Sequence, residues 1–145
     1  MSWPVPQPGL VVRYSYLWER EAREGREEGV KDRPCAIVLV VLREDESQVV
    51  RVLPVTHSPP DDPLDALEIP QPVKQRLGLD TGRSWVVLSE ANDFIWPGPD
   101  LRPAVSGDPS SVAYGFLPPG FFRVLRERLI ARRKVRLMQA VARSE

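Results

Sequence analysis

Apolar residues in this chain come in short runs, and proline or glycine separates most of them. Over residues 9–18 they alternate, with Leu10, Val12, Tyr14 and Tyr16 on one face at a two-residue period. That pattern predicts a first strand. Residues 19–32 are almost all charged or glycine. They are too polar to bury and predict a mobile loop or a short solvated helix. Residues 34–42 form an unbroken apolar run rich in β-branched side chains, which predicts a central strand. Proline fits its first position, where no ladder donor is needed. The polar stretch 43–47 is a turn, and Gln48–Thr56 forms a third strand in a hairpin with the second.

A loop rich in proline and aspartate follows over 57–65. Beyond it the pattern gives short strands at 66–69, 84–88 and 93–96. A short helix over 70–79 lies between the first two of these, closed at Gly78. Prolines and a glycine at 97–99 stop the third. A second loop over 101–111 leads to a last strand at 112–117. Pro118, Pro119 and Gly120 then introduce a helix with an apolar stripe of Phe121 or Phe122, Leu125 and Leu129. The stripe drifts after Arg132, where the helix bends, frays or continues as a tail. Many short strands and one terminal helix predict a mainly β, α+β fold. It is expected as one domain, with a small, strongly curved β-barrel over 8–117 and a helix with a basic tail over 118–145.

At 145 residues the chain is long enough for one real core, and 42% hydrophobic with 28% charged residues is the balance of a soluble globular protein. No apolar run reaches the length of a membrane span, and no basic region followed by an apolar one opens the chain, so neither membrane insertion nor secretion is expected. The single cysteine, Cys35, lies within an apolar run and reads as a small buried hydrophobe. A chain without a disulfide suits a reducing cytoplasm.

Formal net charge is zero, yet the charge is unevenly spread. Residues 1–119 hold 12 basic and 18 acidic side chains; residues 120–145 hold 8 and 2. The excess of cations centres on Arg132, Arg133, Lys134 and Arg136. Clustered on one face they form a site for a polyanion such as RNA, or for the acidic tail of a protein partner. The alternative is a solvated helix face.

Candidate chemistry gathers elsewhere. One histidine and one cysteine make no metal-ligand set, and no phosphate-cradling glycine loop follows a strand, so no cofactor is expected. Arg33 opens the second strand and carries a permanently charged fork that matches two phosphate oxygens. Thr56 ends the third strand, where its hydroxyl can donate to a phosphate oxygen, and Ser58 follows closely. His57 is the side-chain type suited to moving protons near neutrality. Glu90, just after the 84–88 strand, is a candidate base or an orienter of Arg33. For each of these the alternative is an ordinary strand-end or surface residue.

The order of these features is more specific than any of them alone. Pro8 and Gly9 lead a first strand. The loop Gly25-Arg26-Glu27-Glu28-Gly29 precedes Arg33-Pro34 and its apolar strand, and Leu53-Pro54-Val55-Thr56 closes the third. Gly78-Leu79, the strand from Trp85, the acid Glu90 and a terminal helix follow. In this order the chain resembles the MazF/PemK (Kid-like) toxins of bacterial toxin–antitoxin modules. The resemblance implies an SH3-like barrel that dimerises, cuts single-stranded RNA without a metal, and is neutralised by a small antitoxin protein. It implies Arg33 and Thr56 as catalytic residues, Glu27 as the acid of the loop, and Glu90 as the late acid. Leu88 stands where some members carry an arginine, and the loop before Arg33 is longer and more charged. Two other readings differ in class. One is a non-catalytic module that holds RNA or a protein on the same barrel. The other is a gyrase poison of the CcdB kind, whose terminal aromatic is absent from Val141-Ala142-Arg143-Ser144-Glu145.

Overall fold

In a computed structural model of the chain, residues 2–25, 31–136 and 138–143 are described. Among the described residues eight strands and three α-helices follow one another. β1 (Leu10–Tyr14), α1 (Glu19–Arg23), β2 (Arg33–Leu42), β3 (Gln48–Thr56) and β4 (Ala66–Glu68) form the first half. α2 (Gln71–Leu77), β5 (Trp85–Val87), β6 (Glu90–Trp96), β7 (Ala113–Phe116), α3 (Pro119–Val135) and β8 (Gln139–Ala142) complete it.

The strands hydrogen-bond in the order β4-β5-β3-β2-β1-β7, with β6 on β3 and β8 on β6. All neighbours are antiparallel except β6 and β8, which run parallel. β3 is the hinge of the sheet. Along one edge it pairs with β6 over Gln48–Val52 and then with β5 at Val55 and Thr56, while β2 holds its other edge. Changing partners along a single strand bends the sheet sharply. The mainly β fold with a C-terminal helix is therefore as expected. The strands curve without closing, because β4 and β7, at the two ends of the path, do not pair.

Two apolar cores lie on opposite faces of this sheet. Leu10, Val12, Tyr14 and Tyr16 enter one, together with Ile37, Val50, Val52 and Phe94. This is the alternating face visible in the sequence. The intervening Val11 enters the other core, with Ala36, Leu53, Val86 and Leu88, so β1 and the Cys35–Ile37 part of β2 are buried on both sides. α3 covers that second core with Leu125, fully buried, and with Phe121, Phe122 and Leu129.

Three expectations need correction. The first strand stops at Tyr14, because Ser15 N–H turns to donate to the Asp100 carbonyl at 2.9 Å. Part of the charged stretch forms the short helix that is one of its two expected forms, but its Glu21 is buried, not solvated; Oε1 accepts from Trp18 N–H at 3.2 Å, closing the first turn. Finally, the chain past α3 is no loose tail. It returns as β8 along β6, pairing Ala91 with Ala140 and Asn92 with Val141.

Candidate functional site

The β2–β3 register sets Cys35 opposite Pro54 and Ala36 opposite Leu53. Continued two residues outward, it brings Arg33 level with Thr56. The two strand ends the sequence singled out thus meet at one rim. Arg33 Nη1 donates to the Val55 carbonyl at 3.2 Å. Its Cζ lies 4.9 Å from the centroid of the Trp18 ring, a cation–π contact that fixes the plane of the guanidinium. Its Nε is buried and has no acceptor. Among the described residues no carboxylate pairs with Arg33.

Arg33, Thr56 and His57 line one pocket of about 170 Å³, beside Lys31 and Asp32. Lys74, Asp80 and Ser84 line its far side. Thr56 Oγ1 accepts from the Ser58 backbone N–H at 3.2 Å, which leaves the hydroxyl proton to be donated. Ser58 is exposed and contributes this backbone contact, not a side-chain wall. Asp32 is spoken for by Arg13 at 3.4 Å and Arg102 at 3.6 Å.

Sequence reasoning missed the far side. α2 ends at Gly78, whose left-handed φ of 70° reverses the chain. Leu79 N–H then donates to the Lys74 carbonyl at 2.9 Å, and Asp80 comes alongside Lys74. The Lys74 side chain is only 1% exposed. Its ammonium donates to Asp80 Oδ1 at 2.7 Å, to Ser84 Oγ at 2.7 Å and to the Gly82 carbonyl. The other carboxylate oxygen, Asp80 Oδ2, lies 2.8 Å from His57 Nε2. The hydrogen bond from Lys74, and then that from His57, hold the Asp80 carboxyl down to about 2. No local motif announced this; Lys74 looks like any lysine of a short amphipathic helix.

Glu90 is elsewhere. Its Oε1 accepts from Tyr16 Oη at 3.1 Å and from Glu19 N–H at 2.9 Å, and it does not line the pocket. Burial pushes its carboxyl above the ordinary range, against the pull of those two hydrogen bonds. Tyr16 in turn packs edge-on against Trp18 at 5.1 Å. Glu90 is therefore linked to Arg33 only through Tyr16 and Trp18, not as a direct partner. Glu27 lies outside the described residues.

In the basic C-terminal patch, two of the three arginines singled out are paired with carboxylates. Arg132 is buried and donates from Nε to Asp65 Oδ1 at 2.9 Å. Arg136 pairs with Asp62 at 3.0 Å and Asp65 at 3.8 Å. Arg133 is exposed, beside a groove of about 270 Å³ that Val38, Leu39, Leu129 and Ile130 also line. The loop aspartates thus take up two of the three arginines expected to meet RNA. Beyond them Arg143 is buried, donating to Tyr14 Oη, the Ser15 carbonyl, Asn92 Oδ1 and, at 2.7 Å, Asp100 Oδ2.

No family model, no curated protein and no solved structure matches the chain. Among the described residues no group of three or more His, Cys, Asp or Glu side chains is placed to hold a metal ion, and no helix is long and apolar enough to cross a membrane.

Proposed function

We propose that the chain is a toxin-like endoribonuclease of the MazF/PemK type, cutting single-stranded RNA by attack of a 2′-hydroxyl on its neighbouring phosphate. The observation that carries this reading is the meeting of Arg33, with an unpartnered buried donor, and Thr56 and His57 in one pocket. In the step envisaged, His57 takes the 2′-hydroxyl proton as the O2′–P bond forms. The P–O5′ bond breaks and the 5′-oxygen takes a proton from solvent. The products are a 2′,3′-cyclic phosphate and a 5′-hydroxyl. Arg33 and the Thr56 hydroxyl would face the charge that grows on the phosphoryl oxygens, where fixed donors act most strongly.

The same reading takes the protein to be a cytoplasmic homodimer neutralised by a small antitoxin. Exposed Leu39, Val41 and Leu42 on β2 give apolar surface suited to pairing. Light scattering at micromolar concentration tests the dimer, and a monomer counts against it. The activity test is incubation with unstructured RNA in excess chelator, followed by analysis of the ends. Cyclic-phosphate and 5′-hydroxyl ends are expected. Intact RNA across many sequences, or cleavage that needs a divalent ion, would remove the reading.

A further inference from the structure

His57 is the only histidine in the chain, and 58% of its side chain is exposed. An exposed histidine ordinarily samples several rotamers and both neutral tautomers. This one is held. Nε2 lies 2.8 Å from Asp80 Oδ2, and the Cδ2–Nε2 edge of the ring lies beside Gly82. A Cβ at Gly82 would stand 3.5 Å from Cδ2 and 3.6 Å from Nε2, so that edge faces the 80–82 loop. Nδ1 belongs to the opposite edge of the ring.

Asp80 is itself held, although 59% of its side chain is exposed. The anchor is Lys74, whose ammonium has three protons and three acceptors: Asp80 Oδ1, Ser84 Oγ and the Gly82 carbonyl. Ile69 N–H donates to the Ser84 carbonyl at 2.8 Å, tying this cluster to the chain between β4 and α2. Burying a lysine costs far more than leaving it in water unless its charge is paired and its protons are satisfied. Here the charge is paired by a carboxylate whose second oxygen reaches the pocket histidine, and Ser84 and Gly82 take the other two protons. The other charged groups lining the pocket are Lys31, Asp32 and Arg33.

We propose that Asp80, fixed by the buried Lys74, is a positioning residue that holds His57 as the Nε2–H tautomer and makes Nδ1 the atom that exchanges protons in the pocket. Lys74 positions Asp80, and neither group touches substrate. The inference deepens the ribonuclease reading and rests on it for the identity of the proton exchanged, but the tautomer does not depend on it. With Nε2–H donated to the carboxylate, Nδ1 carries the free lone pair. It accepts a proton, and the resulting imidazolium still donates through Nε2 to the same carboxylate.

Asp80→Asn is the decisive variant. Asn can still accept from Lys74 through its carbonyl oxygen. Its amide group, however, now presents donors to Nε2, which favours the Nδ1–H tautomer and removes the base. Side-chain ¹⁵N spectra of the single histidine, taken with the ring neutral, report the tautomer without any activity. The expected result is Nε2–H in the wild type and a shift toward Nδ1–H in Asp80→Asn. A wild-type Nδ1–H ring, or no change in the variant, overturns the proposal.

Kinetics supply the second arm. With RNA as substrate, Asp80→Asn is expected to lower kcat on the order of a hundredfold or more while KM stays near wild type. Asp80→Glu, which keeps the carboxylate, is expected to recover part of the loss. A shifted tautomer with unchanged kcat overturns the catalytic consequence. The expected tautomers in a wild-type protein that cuts no RNA would instead overturn the ribonuclease reading, leaving the positioned histidine in place. Circular dichroism of each variant separates these outcomes from unfolding.

Discussion

Two parts of the molecule concentrate cations, and they use them in opposite ways. At the rim where β2 and β3 end, Arg33 sits in a pocket with a buried donor unsatisfied. At the C-terminus, Arg132, Arg136 and Arg143 give their donors to Asp65, Asp62 and Asp100. The C-terminal group is the larger in sequence, but three of its arginines are already paired. A run of arginines states how much charge is present, but its partners decide how much is left for a ligand. Those partners lie 67 and 43 residues away for Arg132 and Arg143. The contrast is open to direct attack, because substitutions at the rim should cost rate while those at the C-terminus should cost stability.

The largest effect is expected at Arg143. Replacing it with Ala leaves Asp100, with a side chain only 10% exposed, without its short partner and strips Tyr14 and Asn92 of a donor. Breaking a buried pair from one side typically costs about 3–5 kcal/mol. Urea unfolding should show a loss of that order. A change below about 1 kcal/mol would mean that the last strand is merely laid on the sheet, and the comparison would fail at its structural end.

Arg33→Ala should do the reverse. On the ribonuclease reading its loss removes the cation that faces the phosphate and should slow RNA cleavage about a hundredfold or more, near 3 kcal/mol of barrier. Stability should change little, since Arg33 contributes one hydrogen bond to Val55 and a contact with Trp18. Arg33→Lys should recover little of the rate, because an ammonium cannot reproduce the fork. A folded Arg33→Ala protein with nearly full activity would leave the rim as ordinary as the sequence's other strand ends.

Much of this arrangement is legible in the order of the residues alone. The two-residue period places Leu10, Val12, Tyr14 and Tyr16 together, and they share one core. The pattern predicts strand three at Gln48–Thr56, where it lies, and the apolar run puts Arg33 beside a strand start. Local pattern governs such features, so local pattern reveals them. What stays hidden depends on contacts between distant segments. Lys74 gives no sign of burial, because its helix is short and its partners Asp80, Gly82 and Ser84 lie in the turn beyond it. β8 is four residues long and follows a charge run, so neither its length nor its composition marks it. The pattern rightly sets Glu90 after a short strand, but position along the chain cannot tell that Tyr16 and Glu19 claim its carboxylate.

A middle-sized effect is expected at Arg132. Arg132→Met keeps the apolar stem against α3's surroundings and removes the bond to Asp65. Because Asp65 is partly exposed and still lies 3.8 Å from Arg136, the cost should be about 1–2 kcal/mol. Cleavage rate and its dependence on salt should be unchanged. A shallower salt dependence would show that Arg132 meets phosphate after all, since each lost contact removes released counterions. Arg133→Glu, at an exposed position, is the matched control in which a salt effect is allowed.

The smallest effect, and the one that sharpens the boundary between the two regions, is expected at Glu90. It stands at their junction: its backbone pairs with Gln139 of β8, and its carboxylate holds Tyr16, which packs on the Trp18 that covers Arg33. Glu90→Gln keeps an oxygen able to accept from both Tyr16 and Glu19, so the scaffold under Trp18 should persist and cleavage should stay within a few-fold of wild type. The charge is what changes. Burial raises the Glu90 carboxyl above its ordinary value of 4.5, so the folded chain holds that proton more tightly than the unfolded one. The stability this confers is fully present below the ordinary glutamate range and is lost as pH rises through the folded value. Gln is neutral throughout and loses nothing. Unfolding midpoints of the two proteins should therefore converge near pH 4 and separate toward neutrality, with Glu90→Gln gaining on the wild type. A gap that instead widened on acidification would reverse the sign and mean that the folded chain favours the charged carboxylate. A hundredfold loss of cleavage with the fold intact would place Glu90 in the reaction, and the rim would then extend across Trp18 to the start of β6.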